Sequence, residues 1–506
     1  MAGSLAARGV QYIFGLPGGE IVAFIDACRR AGIRFLLTGH EASAAWMAQV
    51  VGQITGVPGV CAATLGPGAT NLVTGVANAW LDRAPMLTVT AQIPGAAMET
   101  MTHQRVPLDR LFAPITKGSF AVGFGDTVAL VEHSMDRAAA PRPGPVHISL
   151  PSDLAVHEYH ERPRQEAIDL PTGGPPDLHP ISTRLEAAAR PIVIIGLGAM
   201  PAAAPAIRAF IDRLQAPFLV TPKAKGIASE DHPLFAGVAS GMAIDRDIVE
   251  TIKSADLVIG IGFDPVECDK TWFADVDVVS IDSASMVEGR YRPLEAIGDL
   301  GELVACLNPA PKPWHAELPK REAQAGLSPL RLIEELRSIF PRDGIAACDV
   351  GSHKLVMGQF WRSYEPGTFF MSNGLSGMGF GLPAAIAAQL CHPQKHVMAV
   401  VGDGGMLMMI HDLVLIRELG LPILIVVLSD RSLSLIRVSE ERRGFPAYGV
   451  DFTPPDFAAI AQAFGIAGRR VASIAEAKSC AERALTERAP FVIDVPIDYR
   501  EYYDLV

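Results

Sequence analysis

Two acidic residues 27 positions apart, Asp403 and Asp430, stand where a chain can hold a metal ion against a phosphate. One apolar run ends in Gly402-Asp403-Gly404-Gly405 and resumes as a helical pattern, and a second, Ile423 to Leu428, ends in Ser429-Asp430. The pattern reads as strand, tight turn, helix and strand. Both acids then lie at the carboxyl ends of strands in one β-α-β unit, where open parallel sheets bind ligands. Glycines at 402, 404 and 405 allow backbone N–H groups to approach a diphosphate, and the next helix N-terminus favours its charge. Mg²⁺ suits such a site because it takes oxygen ligands and sits between carboxylates and phosphates. The plainer reading is a glycine turn, with Asp430 as a helix cap.

A second group of residues lies near the N-terminus. Tyr12 to Gly19 reads as a strand running into a turn that contains Gly18 and Gly19; Ile33 to Thr38 is a strand ending at His40-Glu41. Val60 to Thr64 leads into Gly66-Pro67-Gly68-Ala69-Thr70-Asn71. Three consecutive strands ending this way place all these groups on one edge of one sheet. Glu41 falls at a strand-to-helix junction, where a helix N-terminus favours its anionic form. Late in the chain, Ala347 to Asp349 is a strand ending in the turn Val350-Gly351-Ser352-His353, and Met378 lies in a glycine-rich run where, taken alone, it reads as core.

The elements that position these residues follow from the rest of the chain. Two Pro-rich polar stretches, His160 to Pro180 and Leu307 to Leu327, lack a sustained apolar period and read as linkers. They divide the 506 residues into domains at 1–160, 181–306 and 328–506. In each, strand-like runs alternate with helical patterns, so each is expected to be α/β with a mostly parallel sheet. The net charge of −12 argues against a nucleic-acid surface. The longest apolar runs are too short to cross a bilayer and no leader pattern opens the chain, so a soluble cytoplasmic protein is expected. Seven cysteines show neither paired nor Cys/His metal spacing and read as reduced, mostly buried thiols. In the middle domain, Gly196-Leu197-Gly198 follows a strand, but Pro201 stands where a dinucleotide motif has its third glycine, which leaves nucleotide binding there open.

Together these motifs resemble the thiamine diphosphate (ThDP) enzymes. The Asp403/Asp430 pair is similar to the family's metal-diphosphate motif. That motif commonly has Asn where this chain has Asp430, but Asp is the better hard-cation ligand and some acetolactate synthases carry it. Phe14 to Gly19, His40-Glu41, Gly66 to Asn71 and Ala84-Pro85-Met86-Leu87 look like the pyrimidine-binding domain, in order and at matching intervals. Ser372 to Pro383 matches the segment that carries the family's apolar wedge, here Met378. Ser4 to Arg8 corresponds to only the last turns of a helix that relatives have in full, so a trimmed or misassigned start is expected.

The resemblance implies a three-domain ThDP-binding fold (pyrimidine, middle and diphosphate domains) with ThDP and Mg²⁺ as cofactors. Metal ligands would be Asp403, Asp430 and the Ser432 carbonyl. Gly18, Gly19, Pro67, Asn71, Val350, Gly351, Ser352, His353, Ser376, Met378, Gly402, Gly404 and Gly405 would surround the cofactor. Glu41 would hydrogen-bond the aminopyrimidine ring and make accessible the imino tautomer that takes the proton from thiazolium C2. Bending the cofactor over Met378 would bring those two groups together, an orientation effect of up to roughly 7–11 kcal/mol. A homodimer or homotetramer with sites shared between subunits is expected, acting on small 2-oxo acids, with no nucleic acid or membrane partner.

Substrate class is narrowed by three further matches. His103-Gln104 followed by Phe112 to Lys117 is similar to the active-site segment of catabolic acetolactate synthases. The run Gly262-Phe263-Asp264-Pro265-Val266-Glu267 resembles the same branch, and Gly262 in place of the Arg of flavin-dependent relatives argues against FAD. Ser439 stands where biosynthetic relatives have Trp and catabolic ones Gln, which leaves the acceptor open. The expected reaction is decarboxylation of a 2-oxo acid, most simply pyruvate, with ligation to a second carbonyl. A simple decarboxylase or 2-hydroxyacyl lyase is the alternative. Retention of Glu41 and the acid pair argues against a non-catalytic binding paralogue.

Overall fold

The computed structural model describes residues 1–123, 125, 127–156, 176–268, 276–316, 323–324 and 326–505. Most of the first expected linker and part of the second lie outside the described residues. Among the described residues eighteen strands form three six-stranded sheets, and every pair of these strands is parallel.

The first sheet contains β1 (Tyr12–Leu16), β2 (Arg34–Leu37), β3 (Gly59–Ala63), β4 (Met86–Gln92), β5 (Ser119–Ala121) and β6 (Pro145–Pro151) in the order β2-β1-β3-β4-β6-β5. Strands β3, β4 and β6 are buried along their whole length, which is why they read as continuous runs rather than alternating ones. The second sheet holds β7 (Pro191–Ile195), β8 (Phe218–Val220), β9 (Phe235–Val238), β10 (Leu257–Ile261), β11 (Val278–Asp282) and β12 (Leu294–Ile297), ordered β12-β11-β10-β7-β8-β9. The third contains β13 (Ile345–Cys348), β14 (Phe369–Met371), β15 (Val397–Gly402), β16 (Ile423–Ser429), β17 (Ala467–Arg470) and β18 (Phe491–Pro496), ordered β14-β13-β15-β16-β18-β17. In the first and third sheets the strands carrying the candidate groups are neighbours, and parallel pairing puts their carboxyl ends on one edge.

The chain forms two compact units. One is Met1–Pro171 with Gly374–Pro393 and Met408–Leu421; the other is Thr172–Asn373 with Gln394–Leu407 and Pro422–Val506. The first unit includes the helix Gly381–Cys391, nine of whose 11 residues are buried. With no polar face it needs apolar neighbours all round, and in the first unit Phe380, just before it, meets Trp46 edge-on at 6.5 Å. Trp46 belongs to the helix Glu41–Thr55, which is also largely buried. Gln49, buried in that helix, has both ends of its amide satisfied: Asn78 Nδ2 donates to Gln49 Oε1 (2.8 Å) and Gln49 Nε2 donates to Asp82 Oδ2 (2.9 Å), while Asp82 Oδ1 accepts from the Gly374 N–H (3.0 Å).

In the second unit, a buried ion pair joins the loop after β8 to the helix Ser352–Phe360. Lys225 Nζ lies 2.8 Å from Glu230 Oε2 and 3.1 Å from the Gly358 carbonyl, with both side chains out of solvent. Among the described residues no helix is long and apolar enough to cross a membrane.

Candidate active site

In the first unit the carboxyl ends of β1, β2 and β3 converge on Glu41. The helix Glu41–Thr55 begins there because His40, in an extended conformation, turns its ring back so that Nδ1 accepts the Ala42 N–H at 3.0 Å. Glu41 is 4% exposed, and Asn71 Nδ2 donates to its Oε2 at 3.0 Å. Asn71 reaches it from the helix Pro67–Leu81, whose first residue follows Gly66 at φ +59°. Among the described residues Oε1 accepts no hydrogen bond, so Glu41 keeps one oxygen for a ligand. Gly68 makes room for it, since a Cβ there would lie 3.3 Å from Oε1 and 2.8 Å from Thr64 Cγ2.

The remaining candidates of this unit are placed unevenly. Gln104, with φ +55°, lies against the Gly66 turn; a Cβ on Gly66 would come 2.9 Å from its Cβ. His103 is exposed and makes no hydrogen bond among the described residues. A Cβ on Gly18 would meet Thr64 at 2.5 Å, whereas one on Gly19 would meet nothing within 4 Å, so packing demands glycine only at the first. Pro67 is exposed at the start of its helix, Met378 is half-buried, and Ser376 is exposed with φ +57°.

In the second unit β15 and β16 deliver the acids. Asp403 is 2% exposed; its Oδ1 accepts the Gly404 N–H and its Oδ2 the Arg431 N–H, both at 2.8 Å. Asp430 Oδ1 accepts the Ser432 N–H at 3.2 Å. Between them Arg431 sits at φ +64°, a region that non-glycine residues rarely occupy and that marks functional turns. Burial, followed by the charge of Asp430, raises the Asp403 carboxyl to about 7, and burial raises Asp430. Among the described residues no Lys, Arg or His pairs with either acid. A buried and a half-buried carboxylate with no cationic partner among the described residues suit a bound cation.

Beside them, His353 is buried, its Nε2 has no hydrogen-bond partner among the described residues, and burial lowers its pKa to about 4. The ring is therefore neutral at physiological pH. A Cβ on Gly351 would come 2.9 Å from its Cε1 and one on Gly402 3.1 Å, so both glycines form its cradle. Val350 donates its N–H to Asp349 Oδ1 at 2.8 Å, and buried Ser352 is 2.8 Å from Ser434. Gly404 is half-buried and Gly405 buried in the short helix Asp403–Met408, which follows β15 directly where the sequence suggested a tight turn.

Comparisons with known proteins bear on this arrangement. Residues 1–110 match the N-terminal TPP binding domain of thiamine pyrophosphate enzymes, 178–307 their central domain and 349–495 their C-terminal TPP binding domain. The acetolactate synthase of Bacillus subtilis (strain 168) is 32% identical, over 99% of this chain and 93% of its own. The acetolactate synthase isozyme 2 large subunit of Escherichia coli (strain K12) is 31% identical, over 98% and 95%; the catabolic acetolactate synthase of Raoultella terrigena is 30% identical, over 98% and 94%. The chain belongs to the thiamine pyrophosphate enzymes.

As a ThDP enzyme it presents residues that fit the cofactor at both ends. The open oxygen of buried Glu41 suits a ring nitrogen, and the Asp403 and Asp430 carboxylates, with no Lys, Arg or His partner among the described residues, suit the cation that accompanies a diphosphate. Sequence reasoning overlooked Thr64, Glu20 and Ser434. Thr64 donates to Glu20 Oε2 at 2.7 Å, and Ser434 bonds Asp430 and Ser352. The close approach required at Gly18 was the available signal for Thr64; a hydroxyl-to-carboxylate pair between adjacent strands leaves none.

The middle sheet of this ThDP enzyme uses its Gly-x-Gly turn internally. Leu197 donates its N–H to Glu267 Oε2 and Gly198 to the Gly262 carbonyl, each at 2.8 Å. Glu267 is buried and raised by that burial to about 8.

Proposed function

We propose that this chain catalyses ThDP-dependent decarboxylation of pyruvate and ligation of the remaining two-carbon unit to a second carbonyl, as an acetolactate synthase-like carboligase. The observation that carries the reading is Glu41, a buried carboxylate with one oxygen held by Asn71 and the other open, in a chain alignable almost end to end with acetolactate synthases. When bound, ThDP supplies the carbon nucleophile and the electron sink for loss of CO₂.

The chain's own residues do the rest. Glu41 holds and releases a proton at the aminopyrimidine, with Asn71 keeping its carboxylate oriented. Half-buried Met378 offers an apolar edge for a bent cofactor. Asp403, Asp430 and the Ser432 carbonyl would hold Mg²⁺, with His353 beside the diphosphate. His103 and Gln104, exposed beside the Gly66 turn, bind substrate oxygen. The proposed cofactor set excludes FAD, supported by the internal use of the Leu197 and Gly198 N–H groups. A cytoplasmic homodimer or homotetramer is proposed, with Glu41 from one copy completing the Asp403/Asp430 site of another.

Product stoichiometry tests the reading. Purified protein with ThDP and Mg²⁺ should consume two pyruvate per CO₂ and form 2-acetolactate, and a chelator should stop it. One pyruvate per CO₂ with free acetaldehyde would make it a decarboxylase. Full turnover in protein shown to lack thiamine diphosphate would end the proposal.

A further inference from the structure

A second carboxylate stands at the same strand edge as Glu41 and has no part in holding ThDP. Glu20 lies in the short turn Gly19–Ile21 after β1, half-buried, and accepts the Thr64 hydroxyl at 2.7 Å. Thr64 follows β3 and is wedged between two glycines. A Cβ on Gly18 would be 2.5 Å from its hydroxyl oxygen, and one on Gly68 would be 2.8 Å from its methyl and 3.3 Å from Glu41 Oε1. Glu20 therefore lies on the hydroxyl side of one threonine and Glu41 on its methyl side. Each carboxylate receives one neutral hydrogen bond, and among the described residues no Lys, Arg or His pairs with either. This edge of the site consequently carries two negative charges from the protein where the cofactor chemistry calls for one.

We propose that Glu20 is a specificity-determining residue that biases the acceptor toward an uncharged aldehyde and away from a second 2-oxo acid. The inference rests on the carboligase reading above. A second pyruvate brings its own carboxylate to this edge, whereas an aldehyde brings none, and like charge across a site acts mainly by suppressing the wrong partner. In either ligation one CO₂ leaves, a carbon–carbon bond forms at the acceptor carbonyl, and one proton is taken up to become the new hydroxyl. The two routes differ only in the charge of the acceptor.

A competition experiment with holoenzyme tests this. Pyruvate and propanal are supplied together and the ratio of the propanal-derived hydroxy ketone to 2-acetolactate is measured; a uniform loss of activity cancels from that ratio. Glu20→Gln, which keeps shape and can still accept from Thr64, should move the ratio toward 2-acetolactate by about tenfold, the scale of one unit charge at moderate distance. Raising KCl to about 0.5 M should shift the parent in the same direction and leave Glu20→Gln insensitive, since salt screens only a charge that is there. Glu20→Ala serves as the second variant and should follow Glu20→Gln. CO₂ release with an unmoved ratio in both variants, or a salt response that survives in Glu20→Gln, overturns the Glu20 inference alone. No CO₂ from any 2-oxo acid in the parent overturns the carboligase reading and the inference with it.

Discussion

Glu41 owes its chemistry to a balance between burial and incomplete satisfaction. One oxygen is fixed by Asn71 while the other is left open, so the group is oriented without being neutralised by a cation. Glu41→Gln preserves the Asn71 contact through the amide oxygen but cannot carry the proton. Turnover should fall by about 10²–10⁴-fold, the usual loss with an acid-base group, while ThDP binding measured by calorimetry persists. Unchanged C2-proton exchange in bound ThDP would remove the role. The acid pair makes an asymmetric prediction. Asp403 is locked by two backbone N–H groups and is the more buried, whereas Asp430 receives one. Asp430→Asn keeps an oxygen ligand and should bind Mg²⁺ more weakly yet still turn over. Asp403→Ala should lose Mg²⁺-dependent ThDP binding, and equal losses in the two variants would contradict this ranking.

At the scale of elements, the helix Ser352–Phe360 is held from two sides. Its start is set by the Gly351 turn around His353, and its far end by Lys225, whose ammonium reaches the Gly358 carbonyl while paired with Glu230. Burial lowers the Lys225 pKa and raises that of Glu230, so each charge persists only because of the other. Removing one partner of such a pair typically costs about 3–5 kcal/mol, while replacing both by apolar residues is near neutral. Lys225→Met should therefore lower the denaturation midpoint sharply, and Lys225→Met with Glu230→Leu should recover most of the loss. A double variant as unstable as the single would mean that the hydrogen bond to Gly358, rather than charge compensation, dominates. The sequence placed Lys225 in the middle domain without sign of this tie, because its partners lie 5 and 133 positions away.

For the whole molecule, buried carboxylates outside the active site impose a pH dependence on stability. Burial raises Asp412, bonded by the Ser43 hydroxyl at 2.7 Å, to about 7, and Glu267 to about 8. In each case the folded state keeps a proton that the unfolded chain gives up nearer its ordinary value, 3.8 or 4.5. The stabilisation is thus complete below the unfolded value and is lost as pH rises through the folded one. Thermal melting of metal-free protein should decline from pH 5 toward about 8. Asp412→Asn and Glu267→Gln should each melt higher than the parent at the alkaline end and match it near pH 4. Parallel melting curves for parent and variants would show that these groups do not carry the effect.

How much of this was legible before folding depends on the range of each interaction. Strand-and-helix periodicity is local, and the apolar runs that end at Asp403, Asp430, Glu41 and Gly66 were enough to put each group at the carboxyl end of a parallel strand. The glycines of the 351, 402 and 404 turns, together with motif order, identified the cofactor. The tertiary structure alone decided which ends became neighbours. The order β2-β1-β3 brings Glu20, Thr64 and Glu41 together from three separate turns, and the two glycines flanking Thr64 set their spacing. Among the described residues it also left His353 Nε2 without a partner. A sequence encodes the period of each element directly. It encodes the pairing of elements only through the burial of all of them at once, and for that reason the acids could be read from the chain while their neighbours could not.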